Sequence, residues 1–177
     1  TKKPTASLMA DMFDVAASDE ISILDPGAGT GILSAAAVER VCKMGGVKEI
    51  ELTCYENDPT LLPMLENNLE RIRKKARHDY DVKLFVTIYN ENYIVDSKNH
   101  YTVTYFDTVE DKFDIVICNP PTELVTKGSE EAECAGCVTM CRISAVFVFM
   151  KIMAEHLEKG GVVIFGGGIG IPFVSTD

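Results

Sequence analysis

The sequence predicts a doubly wound α/β domain, a mostly parallel sheet with helices on both faces. Three observations carry that prediction. Short β-branched runs alternate with amphipathic stretches along the chain. Runs such as "DIVIC" (114–118) and "VVIF" (162–165) are apolar on both faces, as strands covered by helices on either side must be. The first strand also meets the first following helix in a turn dense with glycine, "ILDPGAGTGIL".

The elements follow in order. "ISILD" (21–25) reads as the first strand and "GILSAAAVERVCKM" (31–44) as a helix. "KEIELTCYE" (48–56) is the second strand, and "PTLLPMLENNLERIRKKARH" (59–78) a helix opened by Pro59, where a missing N–H costs nothing. Leu61, Leu62, Leu65, Leu69 and Ile72 recur at helical spacing, and the Arg/Lys run from Arg71 to Arg77 suits the negative end of the helix dipole. That run reads as a solvated helix face. "VKLFVTIYN" (82–90) is a third strand and "KFDIVIC" (112–118) a fourth. The polar stretch from Thr122 to Cys141 reads as a long loop, "ISAVFVFMKIMAEHLEK" (143–159) as a helix and "GGVVIFGG" (160–167) as a fifth strand.

Bulk properties narrow the function. A chain of 177 residues is the size of one domain. No apolar run approaches the ~20 residues needed to cross a bilayer, and the opening "TKKPTASLMADMF" lacks the apolar core of a signal peptide. A cytoplasmic location without membrane attachment is expected. The net charge of −10 opposes nonspecific attraction to nucleic acid, which depends on clustered Lys and Arg. The six cysteines read as free thiols. Cys134, Cys137 and Cys141 offer three thiolates, but neither a nearby His nor a fourth Cys completes a tetrahedron, so no metal is expected.

Two motifs carry chemistry. In the turn, Asp25, Pro26, Gly27, Ala28, Gly29, Thr30 and Gly31 place three glycines at alternate positions, which lets a ligand approach the backbone without a Cβ in the way. The spacing is G-x-G-x-G, so the dinucleotide fingerprint G-x-G-x-x-G is not met. Glu56, with Asn57 beside it, ends the second strand where a carboxylate can accept from both hydroxyls of a ribose. The second motif is Asn119-Pro120-Pro121. The prolines cannot donate to a ladder, so the fourth strand must stop there with a stiff tip. The side-chain carbonyl of Asn119 and the backbone carbonyl of Pro120 can converge as two acceptors on one amine. Accepting from both its N–H groups frees the nitrogen lone pair for attack on an electrophile.

The D-x-G-x-G-x-G turn with Glu56 resembles the cofactor site of class I S-adenosylmethionine-dependent methyltransferases, whose fold is Rossmann-like. The resemblance implies that the turn, Asp25 to Gly31, borders the methionine part of S-adenosyl-L-methionine, that Glu56 holds the ribose, and that Asn92 and Tyr93 in "NENYI" meet the base. Asn-Pro-Pro followed by an aromatic marks methyltransferases acting on amines: adenine-N6 DNA enzymes, guanine-N2 RNA enzymes and glutamine-N5 protein enzymes. From about Lys3 to Phe165 the chain resembles the adenine-specific DNA methyltransferases of restriction-modification systems, Eco57I and BsuBI/PstI type. "KPTASLMADM", with Lys3 before Pro4, is similar to that group's N-terminal Thr-Pro segment, which packs over the cofactor.

That resemblance implies methyl transfer to the N6 amine of adenine flipped out of double-stranded DNA. Asn119, Pro120 and Pro121 would form the amine-binding tip, Asn119 bordering the cofactor as well, with Thr122 and Phe149 beside the base. It further implies a target-recognition domain and a cognate restriction endonuclease as partner. The expected chain is a single cofactor-binding domain over residues 1–177, C-terminally incomplete: two further strands and a basic recognition domain would not fit after Phe165. Departures are specific. Thr122 stands where the family has its aromatic, Ser144-Ala145-Val146 where the group has Asn-Leu-Tyr, and the tail "GGGIGIPFVSTD" differs from the group's usual loop. The alternatives are a glutamine-N5 or guanine-N2 methyltransferase, or a cofactor-binding module without catalysis. A nicotinamide-dependent oxidoreductase would leave Asn119-Pro120-Pro121 without a purpose.

Overall fold

A computed structural model describes residues 1–15, 18–100, 113–120, 124–126, 128–134, 143–144, 157–166 and 172–176. Helix α1 (Lys3–Asp11) carries Pro4 in its first turn, where the absent N–H has no helical partner to lose. Its buried residues Ala6, Met9 and Ala10 share one face, continued by the buried Phe13. Strand β1 (Glu20–Asp25) leads through the glycine turn into α2 (Ile32–Met44). Next come β2 (Glu49–Tyr55), α3 (Leu62–Tyr80) and β3 (Lys83–Tyr89). Leu65, Leu69, Ile72 and Ala76 make the buried stripe of α3. Burial of each such Leu or Ile contributes about 1.5–3 kcal/mol.

Then follow α4 (Tyr93–His100), β4 (Phe113–Cys118), β5 (Leu124–Val125), α5 (Glu130–Cys134), β6 (Ile143–Ser144), β7 (Leu157–Gly166) and β8 (Pro172–Thr176). The main sheet has the order β3-β2-β1-β4-β7-β8. The first five strands run parallel, and β8 pairs antiparallel with β7. Strands β5 and β6 form a separate antiparallel pair.

This order positions the site. Crossovers through α2 and α3 carry the chain outward from β1 to β2 and β3, and the right-handed rule for parallel strands puts both helices on one face of the sheet. The chain then returns to the other side of β1, and the same rule puts α4 on the opposite face. Helix α1 packs on α2, and α2 on α3, while α4 packs on α5. Helices thus cover both faces, as the sequence predicts. The order of strand addition reverses between β1 and β4, which pair in parallel through Ile23 with Ile115 and Leu24 with Val116. Sheets of this kind bind ligands beyond the carboxyl ends of the strands at such a switch.

Several expectations need correction. The α3 helix starts at Leu62 rather than Pro59; its early proline is Pro63, and Pro59 belongs to a turn in which Asp58 Oδ1 accepts from the Thr60 N–H at 2.9 Å. The stretch expected as a loop, 122–141, contains β5 and α5, and α4 was not foreseen at all. Residues 143–144 and 157–159, expected as helix, are strand; 145–156 lie outside the described residues. The early start of β7 is set by pairing, since Leu157 sits opposite Phe113. Of the two further strands expected not to fit after Phe165, one is present: β8 pairs antiparallel with β7 from Pro172 onward.

Candidate functional site

Beyond Asp25 the backbone turns through two left-handed glycines, Gly29 (φ 56°) and Gly31 (φ 77°). Gly31 is fixed twice over: a Cβ there would lie 2.8 Å from Leu65 Cδ1, inside the packed seam with α3. At Gly29 a Cβ would meet nothing within 4 Å, so this side of the turn faces open space. The turn is pinned from both flanks. The Ala28 N–H donates to the Tyr55 carbonyl of β2 at 2.9 Å, and Asn68 Nδ2 on α3 donates to the Thr30 carbonyl at 2.8 Å.

Asp25 is fully buried. Its Oδ2 accepts from the Ser34 hydroxyl at 2.6 Å, while Oδ1 makes no hydrogen bond of ordinary geometry. Burial pushes its carboxyl up to about 6, against the lowering effect of the Ser34 hydroxyl and of the Gly27 and Ser34 backbone N–H groups. Glu56 adds a small repulsion in the same direction as burial.

Glu56 follows β2 directly and reaches back to the turn. Its Oε2 accepts from the Gly29 N–H at 2.7 Å and its Oε1 from the Asp58 N–H at 2.7 Å. Its own N–H donates to the Tyr89 carbonyl at 3.0 Å, and Asn90 Nδ2 donates to the Glu56 carbonyl at 2.7 Å. Asn57 is exposed beside it. Nothing in the sequence sets Asn68 apart, and for Asn90 the available signal is an amide ending a strand beside an expected ribose acid.

Asn92 sits at the start of α4, where its Oδ1 accepts from the Ile94 N–H at 3.0 Å and its Nδ2 donates to Glu131 Oε1 at 3.1 Å. Tyr93 is only 2% exposed. It meets Tyr55 edge-on, with centroids 5.2 Å apart, and Tyr55 stacks on Tyr89 at 4.8 Å. The Tyr55 hydroxyl donates to Asp96 Oδ2 at 2.8 Å. The ring of Tyr93 is therefore packed within this aromatic cluster, and the half-buried Asn92 is the more accessible of the two.

On the other side of the switch, Asn119 is exposed at the tip of β4 and Pro120 is buried. A Cβ on Gly27 would approach Cys118 Sγ at 3.8 Å, so the glycine turn and the β4 tip are neighbours. Asn119 Nδ2 donates to the Thr1 hydroxyl at 3.1 Å. That contact brings the N-terminal segment, with Pro4 three residues on, to the β4 tip. Pro121, Thr122 and Phe149 lie outside the described residues, as do Cys137 and Cys141. Among the described residues no group of three or more His, Cys, Asp or Glu could hold a metal ion. A separate cleft of about 480 Å³ between α1, α2 and α3 touches the turn only through Gly31 and carries Lys3, Arg71, Lys75 and Glu39.

With the geometry in place, likeness to known proteins is informative. No family model matches the chain. A solved protein from Vibrio vulnificus YJ016, described as the modification subunit of a type I restriction enzyme, superposes with a TM-score of 0.63 at 17% identity, over 93% of this chain and 33% of that one. One from Listeria monocytogenes, described as a class I S-adenosylmethionine-dependent methyltransferase, gives 0.55 at 18% identity, over 92% and 42%. This is the class I methyltransferase fold. In sequence the chain resembles the type II methyltransferase M.PstI of Providencia stuartii, with 28% identity over 162 residues, 90% of this chain. It spans 30% of that relative's length. A shorter match, 48% over 40 residues, to the uridylate kinase of Bifidobacterium longum covers 23% of this chain and 16% of that protein, too little of either to show a family. Among the described residues no helix is long and apolar enough to cross a membrane.

Proposed function

We propose that this chain is the S-adenosyl-L-methionine-binding part of a DNA methyltransferase of a restriction-modification system, directed at the N6 amine of adenine. The observation that carries the reading is the adjacency of the glycine turn and the Asn119-Pro120 tip at the sheet's switch point, where a Cβ added to Gly27 would lie 3.8 Å from Cys118 Sγ. A donor bound at one and an amine held at the other would lie side by side.

The residues present fit that cofactor. Gly29 leaves the turn open to a ligand, and Glu56 stands at its rim with carboxylate lone pairs beyond the two bonds it makes, able to accept from ribose hydroxyls. Asp25 and Glu56 put two carboxyl groups near the place of a cationic ligand, which favours a sulfonium over a neutral analogue. The cofactor supplies an electrophilic methyl group. The chain's own residues bind and orient. Because Asn119 Nδ2 is engaged with Thr1, its Oδ1 is the atom left to accept from the amine, together with the carbonyl of Pro120. Pre-aimed acceptors of this kind stabilise the positive charge that develops on the attacking nitrogen. Double-stranded DNA, a target-recognition domain and a cognate endonuclease complete this reading, which places the protein in the cytoplasm.

Calorimetric titration with S-adenosylmethionine and its demethylated product tests the first step. Both should bind, and Glu56→Ala should weaken binding by about tenfold or more through loss of the ribose acceptor. Absence of binding by either ligand would refute the proposal. For the second step, the full-length protein is supplied with labelled cofactor and DNA, and the modified base is identified. Label on a glutamine amide or an RNA guanine instead of N6-methyladenine would move the chain to another class of amine methyltransferase. Binding without label transfer would favour the module without catalysis, the reading to which Thr122 in place of an aromatic points.

A further inference from the structure

Asn92 and Glu131 are far apart in sequence and meet between α4 and α5. The Asn92 Oδ1 accepts a backbone N–H, that of Ile94 at 3.0 Å, and its Nδ2 donates to a carboxylate, Glu131 Oε1 at 3.1 Å. A backbone N–H can only donate and a carboxylate can only accept, so the partners leave one orientation for this amide. Both ends of the bond are held. The Asn92 carbonyl accepts from the Val95 and Asp96 N–H groups at the start of α4. Ser129 opens α5, its hydroxyl accepting from the Ala132 N–H at 3.4 Å and its carbonyl from the Glu133 N–H at 3.1 Å. Asn92 and Glu131 are each half-buried, which makes the charge-assisted bond between them stronger than an exposed one.

After these two bonds the Asn92 amide keeps one N–H and one lone pair. A donor and an acceptor on one amide match the edge of an amino-bearing purine. We propose that Glu131 is a positioning residue for recognition of the cofactor's base, acting through Asn92. This rests on the proposed cofactor reading and on the place beside the base that the family resemblance implies for Asn92. It goes further in one respect: α5 belongs to the segment that follows Asn119-Pro120, so the bond ties the substrate side of the site to the cofactor side.

The test is titration of S-adenosylhomocysteine, and of its analogue with a keto group in place of the base amine, into wild type, Glu131→Ala, Glu131→Gln, Asn92→Ala and the Asn92→Ala/Glu131→Ala double variant. Circular dichroism and thermal midpoints check that each is folded. Glu131→Ala should weaken the amino ligand by about tenfold and narrow the discrimination between amino and keto ligands. Glu131→Gln, whose amide oxygen still accepts, should recover most of both. The double variant should bind no more weakly than Asn92→Ala alone, because Glu131 has no other route to the ligand. Additive losses, or equal weakening of both ligands by Glu131→Ala, would overturn the proposal while leaving the cofactor reading intact. A wild-type chain that binds neither ligand would overturn both.

Discussion

The two sides of the switch point are built to different standards. On the side of β1, β2 and β3, every wall of the glycine turn has a partner: Tyr55 holds Ala28, Asn68 holds Thr30, Glu56 holds Gly29, and Asn90 holds Glu56. At the tip of β4, Asn119 stands exposed, and its side chain is met by the Thr1 hydroxyl. A cofactor site gains from being formed before its ligand arrives, since ordering after binding costs affinity. An amine acceptor must instead stay open to whatever brings the amine.

The largest effect should come from breaking the open side. Asn119→Ala removes one of two acceptors and should lower methyl transfer by the full-length protein on the order of 100-fold. Because the residue is exposed, thermal stability of the chain should stay within ~0.5 kcal/mol of wild type. A variant that loses stability and transfer together would mean that the β4 tip is scaffold and that the two sides of the switch do not differ in this way.

The closed side should respond through stability first. Gly31→Ala forces an alanine to φ 77° and drives its Cβ to 2.8 Å from Cδ1 of the fully buried Leu65. The backbone penalty of roughly 1–2 kcal/mol and the overpacking of roughly 1–3 kcal/mol together give about 3 kcal/mol, readable by urea unfolding. Gly29→Ala separates the two terms. It has the same backbone penalty at φ 56° but open space around the added Cβ, so it should cost only roughly 1–2 kcal/mol of stability. Its methyl group would instead intrude where the ligand approaches. Equal stability losses for the two variants would show that packing against α3 contributes nothing at Gly31.

The same division explains what could be read from the chain. The turn, Glu56 and the Asn119-Pro120 tip were legible because backbone chemistry there is local: glycines at alternate positions, an acid at a strand end, prolines that stop a ladder. Asn68, Asn90 and Glu131 were not, because an amide or carboxylate on a helix or loop looks solvated until the fold brings it to a carbonyl or another amide. The stretch Leu157 to Lys159 has helix-forming residues yet is strand, since pairing across the sheet overrides local preference. Strand β8 escaped notice for a related reason. A hairpin return needs few residues, and the pairing of Phe173 with Phe165 is a tertiary fact.

Asp25 offers the subtlest test of the closed side. A carboxyl whose native value is about 6, against 3.8 when free, takes up its proton on the folded chain first as pH falls. Between those values the folded state binds more protons than the unfolded one, so this group adds stability as pH drops and withdraws it as pH rises through 6. The full swing is about 3 kcal/mol, since one pKa unit is worth about 1.4 kcal/mol. Other carboxylates act in the opposite sense, so the whole-protein curve hides the effect, and the comparison with Asp25→Asn isolates it. The buried amide has its own fixed cost, because one N–H would occupy the place of the unbonded Oδ1. That cost does not depend on pH. Urea unfolding of both proteins from pH 4 to pH 7 should therefore show the variant gaining on wild type by up to about 3 kcal/mol as pH rises, whatever the offset at either end. A constant difference would mean that Asp25 is not desolvated as its burial implies, and that the turn is looser than its hydrogen bonds suggest.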